Sequence, residues 1–274
     1  MLNYCHKNID YLKPFLYCSI VIFGLVCFPG CITLYQPNAI NSPLLSEEGE
    51  GNIGGSIGFS GSGLYNIQGS YAVAPNTGIM LNGMYKHRDR DLQPGTEKLR
   101  IGMVETGIGY FKPFGSRSNG LFQFYGGAGM GQSQDRYTGQ SEPAPEVRSG
   151  YYNVFLQPGI ALKNENFQLS FDLRANYVKL YDIKAYLYEK FEWWNTDFNY
   201  KQDTTIDFIN LEPAITMRTG GEKLKAMFQL GFILPVVNPE SYFAVNNSSL
   251  LILPLFKISA GINYTFGRKF TQQQ

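Results

Sequence analysis

Apolar and polar residues alternate along most of the chain from residue 52 onward. A period of two residues is typical of β-strands that present one apolar and one polar face. In the stretch FQLSFDLRANYV, Phe167, Leu169 and Phe171 fall on one face, and Asp172 and Arg174 fall on the other. The alternation predicts about ten strands, near residues 52–60, 63–73, 78–87, 99–112, 119–132, 150–163, 166–179, 206–218, 223–234 and 253–267.

The lengths of the strands and of their connections indicate the class of fold. Most predicted strands have about twice the usual 5–6 residues and match the roughly 9–11 that a tilted transmembrane strand needs. Short connections (APNT, KPFGSRSN, KNEN, TGGE) alternate with long ones, such as residues 87–98 and 133–150, and only the first connection, around SGSG, breaks this order. The pattern is typical of bacterial outer-membrane proteins. We therefore predict an all-β fold, a transmembrane antiparallel up-and-down β-barrel of about ten strands, over residues 52–270.

A soluble up-and-down barrel is the alternative, and it would place its apolar side chains inside. The alternation alone does not tell which face is inside. Strand length favours the membrane barrel, in which the polar face, with its long side chains, lines the lumen. We expect three small residues of that face, Gly127, Gly129 and Gly131, to leave room for these long neighbours.

The first thirty residues have the layout of a secretory signal peptide. Lys7 and Lys13 precede an apolar run that ends before Gly30 and Cys31. This run is short for a membrane-spanning helix, and its flanking prolines disfavour the alternative of a single anchor helix. All four cysteines of the chain lie within residues 1–31. Cleavage before Cys31 would leave one cysteine and no internal disulfide.

The sequence CFPGC resembles the lipobox of bacterial lipoproteins, in which the cysteine after a small residue receives a diacylglycerol group. Gly30 fits that pattern, whereas Phe28 and Pro29 depart from it. The resemblance implies a lipid on Cys31. The following stretch, YQPNAINSPLLSEEGE, resembles the N-terminal region of outer-membrane β-barrel proteins of Bacteroidota.

Residues 31–51 show no helical or strand period and are rich in Pro and Asn, so we expect an extended periplasmic tether. An even number of strands puts both chain ends on the side of the short turns. We therefore expect both termini in the periplasm, long loops outside the cell, and the lipid of Cys31 in the inner leaflet of the bacterial outer membrane.

Charge limits the partners and the use of the lumen. Removing residues 1–30 takes away two lysines and one aspartate, which leaves 21 basic and 21 acidic residues (23 − 2 and 22 − 1). A neutral chain argues against a nucleic-acid partner. Three acids and four bases on the polar face are expected to pair and fill a narrow lumen, and a conducting pore is the open alternative. They are Glu105, Asp172, Arg174, Glu212, Arg218, Lys225 and Lys257.

Candidate catalytic and metal-binding chemistry is sparse. His87 with Asp89 or Asp91 is a candidate acid-base pair for a hydrolase at the outer rim, and a solvated loop histidine is the alternative. The string GGSIG (54–58) matches the Gly-x-Ser-x-Gly motif but lacks the strand–turn–helix that the motif requires, so we expect Ser56 to face the lumen. After cleavage before Cys31, the chain keeps one histidine and one cysteine, which give no ligand cluster, and we predict neither a metal nor another cofactor.

The seventh connection is rich in aromatic residues and holds both tryptophans. It is a candidate extracellular docking surface for a protein or sugar, and packing over the barrel mouth or anchoring among lipid headgroups is the alternative. Its residues are Tyr186, Tyr188, Phe191, Trp193, Trp194, Phe198 and Tyr200.

These patterns together favour a structural or interaction component of the cell envelope. We expect its partners to be outer-membrane lipid and other envelope proteins, as for a subunit of a larger complex, and we expect no enzymatic activity. A narrow passive pore and a rim-site hydrolase are the alternative functions.

Overall fold

A computed structural model describes residues 34–59, 63–92, 95–115, 119–139, 146–186, 204–240 and 256–267. The signal peptide and Cys31 lie outside the described residues, as do residues 187–203, which hold most of the aromatic connection. The described strands are β1 (Gly51–Gly58), β2 (Leu64–Ala74), β3 (Thr77–Leu92), β4 (Gly95–Phe114), β5 (Gly120–Thr138), β6 (Glu146–Lys163), β7 (Phe167–Tyr186), β8 (Thr204–Gly220), β9 (Leu224–Phe232), β10 (Leu234–Val237) and β11 (Phe256–Phe266).

The sheet closes on itself. Each strand from β1 to β9 pairs antiparallel with the next, β9 pairs with β11, and β11 pairs with β1. Strand β10 follows β9 after Ile233 and pairs with β8, so β9 and β10 occupy one position in the barrel. The predicted closed antiparallel barrel of ten strands is confirmed. Within the described ranges, no helix is long and apolar enough to cross a membrane.

The outer face of the barrel is apolar. In β6 the exposed apolar stripe runs from Tyr152 to Leu162, a height of about 25 Å once strand tilt is included. Aromatic pairs lie at both borders of this band, with Tyr71 stacked on Phe266 near the short turns and Tyr152 beside Tyr181 near the long connections. This arrangement is that of an outer-membrane barrel and is the reverse of a soluble one. Exposed members of the band include Ile79, Leu81, Val104, Ile108, Leu156, Ile160 and Phe171.

Several strands are longer than the sequence predicts. The pairing of β3 with β4 continues to Leu92 and Gly95, so residues 87–92 and 95–98 form a ladder where the sequence predicts a long loop. Strands β5 and β6 are likewise longer than predicted, because β5 ends at Thr138 and β6 begins at Glu146. Directly below this ladder, the inward side chains of Leu99 and Ile101 are fully buried.

Residues 34–45, which we call the plug segment, lie inside the barrel, and every one of them is buried. The structure thus places these residues in the lumen, where the sequence predicts a periplasmic tether. It contains no charged residue, so it enters the lumen without the cost of desolvating an ion.

The plug segment runs along the barrel axis. Leu44 and Leu45 pack with Phe111 and Leu121, close to the short turns. At the other end, Leu34 belongs to a cluster with residues next to the long connections. The two ends of the described chain, Leu34 and Gly267, therefore lie toward opposite ends of the barrel. Gly267 lies on the side of the short turns and Leu34 on the other side, and the termini themselves lie outside the described residues.

Candidate functional site: the filled lumen

Side-chain amides of the barrel wall bind the backbone at the middle of the plug segment. The amide of Ala39 donates to Asn66 Oδ1 (3.0 Å), and its carbonyl accepts from Gln68 Nε2 (2.8 Å). Gln229 binds both backbone groups of Ile40, at 2.9 Å and 2.7 Å. The wall thus satisfies buried N–H and C=O groups much as a neighbouring strand would.

Further backbone contacts come from the other side of the barrel. Gln157 Nε2 donates to the carbonyl of Asn41 at 2.7 Å. The amide of Leu44 donates to Gln123 Oε1 at 3.2 Å, and its carbonyl accepts from Lys163 Nζ at 2.6 Å. Since these partners lie on β5 and β6 and the former ones on β2 and β9, the segment is held from opposite walls.

The first charged cluster surrounds Glu105. Arg174 NH1 lies 3.1 Å from Glu105 Oε2, and both side chains are 1% exposed. Asn153 Nδ2 donates to the same carboxylate at 2.7 Å, and Asn38 of the plug segment donates to it at 2.5 Å. The guanidinium of Arg174 also lies 4.4 Å from the ring centre of Phe155. This buried carboxylate is thus surrounded by donors from β6, β7 and the plug segment.

The second charged cluster surrounds Glu212. Lys257 Nζ lies 2.7 Å from Glu212 Oε2 and also donates to the carbonyl of Asn38 at 3.2 Å. Asn176 Nδ2 donates to Glu212 Oε1 at 3.1 Å and to the hydroxyl of Tyr35 at 2.9 Å. The plug segment therefore completes this cluster as well.

The third cluster meets at Ser42 of the plug segment. The hydroxyl of Ser42 donates to Asp172, while the carbonyl of Ser42 accepts from Arg218 NH2 at 2.7 Å. Asp172 also accepts from Gln123 Nε2 at 2.7 Å, and Ser170 Oγ lies 3.1 Å from Ser42 Oγ. Ser42 thus joins an acid and a base that belong to different strands.

The seven residues predicted for the lumen network are all inward-facing and buried. The structure brings four of them together as two direct ion pairs, and it joins Asp172 to Arg218 through Ser42. Lys225 lies apart, where its ammonium donates to the carbonyls of Gly221 (2.8 Å) and Glu222 (2.6 Å) in the turn after β8.

Two further buried lysines escaped the sequence analysis. Lys163 pairs with Glu50 and also donates to Ser46 Oγ at 2.9 Å, which fastens the segment at the short-turn end. Lys86 donates to Gln36 Oε1 at 2.7 Å toward the other end. The sequence did contain a signal: in the alternation of β3 and β6, Lys86 and Lys163 occupy positions on the inward face. It was missed because charges near strand ends are usually solvated.

An apolar cluster fills the half of the lumen next to the long connections. The ring of Tyr35 meets Tyr151 and Phe208 edge-on, at centroid distances of 5.3 Å and 5.6 Å. This geometry is favourable for aromatic pairs. Around them pack Leu34, Leu64, Met84, Leu99, Ile101, Met103, Val178, Leu180, Ile183 and Ile233.

Three inward glycines of β5 make room for large side chains of β6 directly opposite. A Cβ atom at Gly129 would lie 2.6 Å from both Asn153 Oδ1 and Glu105 Cγ. The glycines therefore allow the bulky residues of β6 to lie flat against β5, as the sequence suggested. The opposed pairs are Gly127 with Phe155, Gly129 with Asn153, and Gly131 with Tyr151.

The candidate acid-base pair at the rim has other partners. Both carboxylate oxygens of Asp89 accept from Arg100, at 2.6 Å and 3.1 Å, and this hydrogen bonding lowers the pKa of Asp89. The ring of His87 stacks beside Tyr65 and Tyr85, at centroid distances of 5.8 Å and 6.1 Å. Of the two candidate carboxylates, Asp89 is thus held by a guanidinium, and Asp91 Oδ1 accepts from Thr96 Oγ1 at 3.2 Å.

The other chemical candidates are placed as follows. Ser56 is buried in the middle of β1, opposite Asn66 and Gly261, and not at a strand-to-helix turn. In the part of the chain that the structure describes, no three His, Cys, Asp or Glu side chains are grouped so that they could hold a metal ion. Tyr186 ends β7, and the other six residues of the predicted docking loop lie outside the described residues.

Comparisons with known proteins address the fold. No protein-family model and no curated protein sequence matches the chain. A major outer membrane protein from Thermus thermophilus is similar in structure, with a TM-score of 0.37 and 13% identity over 79% of this chain and 99% of that one. The outer membrane protease OmpT from Escherichia coli is similar with a TM-score of 0.39 and 13% identity over 79% of this chain and 93% of that one. Neither likeness assigns an activity.

Proposed function

We propose that the protein is a sealed barrel of the bacterial outer membrane that serves as a structural or interaction component of the envelope, without catalytic activity. In this proposal the long connections face the outside of the cell, and a lipid on Cys31 adds a second membrane anchor. One observation carries the proposal: every residue from 34 to 45 is buried inside the barrel.

The contacts of the plug segment favour a sealed lumen over a passive pore. An open lumen would strip Asp172 of the Ser42 hydroxyl and Glu105 of the Asn38 amide. Water would replace these partners in an open lumen, so each hydrogen bond stabilises the filled state by about 0.5–1.5 kcal/mol net, and each bond to a charged group by about 1.5–3 kcal/mol. Because many such contacts would break together, the filled state is strongly favoured over an open one.

A role in interaction is supported by the strands that project beyond the apolar band. Beyond Tyr85, β3 and β4 continue as a paired ladder that carries Arg88, Asp89 and Arg100. We propose that this ladder is a docking surface for another envelope protein and that the aromatic connection after Tyr186 has the same role. Tyrosine and tryptophan are frequent anchors at such interfaces.

Conductance in planar lipid bilayers tests the proposal. The native protein is expected to give no discrete openings. A variant in which residues 34–45 are replaced by a Gly-Ser sequence of equal length keeps the leader and Cys31 intact. It is expected to conduct, since the polar lining is then open to water. Heat-modifiable gel migration shows that the variant forms a barrel.

Regular openings by the native protein would favour the narrow pore and contradict the sealed lumen. A folded but silent Gly-Ser variant would contradict the claim that this segment is the seal.

A further inference from the structure

The direction in which the plug segment runs determines at which end of the barrel the preceding chain lies. Next to the short turns, Lys163 binds the carbonyl of Leu44 and the carboxylate of Glu50. In the middle, Asn38 contacts both the Glu105 cluster, through the Glu105 carboxylate, and the Glu212 cluster, through Lys257. Followed from β1 back to Leu34, the segment therefore runs along the barrel axis toward the long connections.

The outer end of the segment is fixed by described contacts. Leu34 and Tyr35 pack in one cluster with Leu64, which opens β2 directly after the first connection. The same cluster includes Ile183, close to the last described residues of β7, and Val147 near the start of β6 packs against it. All three of these wall residues lie near strand ends on the side of the barrel that carries the long connections.

The length of the segment is sufficient to cross a membrane. An extended chain covers about 3.3–3.6 Å per residue, so residues 34–45 can span about 40 Å. The hydrocarbon core of a bilayer is about 30 Å thick. Each backbone group named above is bound by the wall, which is the condition for non-helical chain at membrane depth inside a protein.

We infer that the plug segment is a membrane crossing in its own right, so that the chain before Leu34 emerges on the side of the long connections, opposite to Gly267. This inference rests on the proposed outer-membrane location. A lipid on Cys31 would then enter the outer leaflet at the cell surface, and the protein would display its own N-terminus outside the cell.

Epitope accessibility in intact cells tests this topology. The same short epitope is inserted between Thr33 and Leu34, between Gln93 and Pro94 at the β3–β4 connection, or between Glu165 and Asn166 in the short β6–β7 turn. We expect antibody binding to intact cells for the first two insertions. We expect binding to the third only after the outer membrane is permeabilised, with a rise in signal of at least about tenfold.

A second measurement covers the case in which the first insertion disturbs folding. The variant Thr33→Cys changes a single side chain and is probed with a membrane-impermeant maleimide, with the parent protein as background. Labelling in intact cells is the expected result. Heat-modifiable migration of each variant shows that the barrel has formed.

The outcomes separate this inference from the proposed function. If the epitope at Thr33 and the cysteine of the Thr33→Cys variant are reached only after permeabilisation, together with the epitope at Glu165, the crossing is contradicted while the barrel stands. If the epitope at Gln93 is protected in intact cells, the proposed orientation of the barrel fails, and the surface display of the N-terminus fails with it.

Discussion

The middle and the outer end of the plug segment are held by different forces. From Asn38 to Ser42, the wall contacts the segment through amides, carboxylates and cations that bind mostly its backbone. At Leu34 and Tyr35, the contacts are aromatic and aliphatic apart from the hydrogen bond that the Tyr35 hydroxyl accepts from Asn176. The first region fixes the position of the segment along the axis, because hydrogen bonds are directional and need their partners at set places on the wall. The second region fills the lumen by shape and is less specific.

The two regions also differ in how they respond to the loss of one partner. A satisfied hydrogen bond contributes only about 1 kcal/mol net, whereas a buried charge left without its partner costs several kcal/mol. Truncating an apolar side chain instead costs the lost burial plus the cavity that remains. The polar middle should therefore be the most sensitive part of the lumen, and the apolar end the next.

The largest effect is expected for Arg174→Met. The change leaves Glu105 buried without its cation and should lower the free energy of unfolding by about 3–5 kcal/mol. Urea titration of the heat-modifiable folded band in liposomes measures the change. Arg100→Met is the matched control, because its partner Asp89 is half exposed and such a pair contributes about 1 kcal/mol or less. Equal effects of the two substitutions would contradict the burial of the Glu105 cluster.

The apolar end is tested by Tyr35→Ala. Removing the ring eliminates the edge-on contacts with Tyr151 and Phe208 and should cost about 3 kcal/mol. Tyr35→Phe keeps the ring and removes only the hydroxyl that accepts from Asn176, so its cost should be about 1 kcal/mol. The same urea titration distinguishes the two. A phenylalanine variant as unstable as the alanine variant would show that the hydroxyl, and not the packing, holds this end.

A smaller effect is expected at the border between wall and lumen. Gly129→Ala places a Cβ atom against Glu105 and Asn153 and should cost about 1–3 kcal/mol through overpacking. Gly102→Ala is the control, since a Cβ atom there has nothing within 4 Å. If the two variants unfold at the same urea concentration, β5 and β6 are less tightly packed than the structure indicates.

The fold could be predicted from the sequence because its physical basis is local. Alternation such as that of Leu169, Asp172 and Arg174 assigns each residue of a strand to lipid or lumen, and closure follows because an unpaired strand edge is costly in a membrane. The register between strands determines which charges meet. The pairs Glu105–Arg174 and Glu212–Lys257 could therefore be expected as members of a network, but not named as pairs.

The plug segment could not be predicted in the same way. It has no strand period, and proline and asparagine are equally common in exposed tethers. One signal was present: residues 34–45 carry no charge, whereas an acidic run begins at Glu47. The β3–β4 ladder was missed for the opposite reason, because Arg88, Asp89 and Asp91 suggested a solvated loop although they continue the pairing of two strands.

A cross-link between the plug segment and the wall tests the central claim most directly. Ser42 Oγ and Ser170 Oγ lie 3.1 Å apart, so oxidation of a folded Ser42→Cys/Ser170→Cys variant should form a disulfide and speed its migration on a non-reducing denaturing gel. Ser42→Cys/Ser133→Cys is the control, because Ser133 lies toward the far end of β5, and Ser42→Cys alone gives the background. We predict a cross-link in the first pair only. The same yield in both pairs, or none in either, would contradict a plug segment inside the barrel.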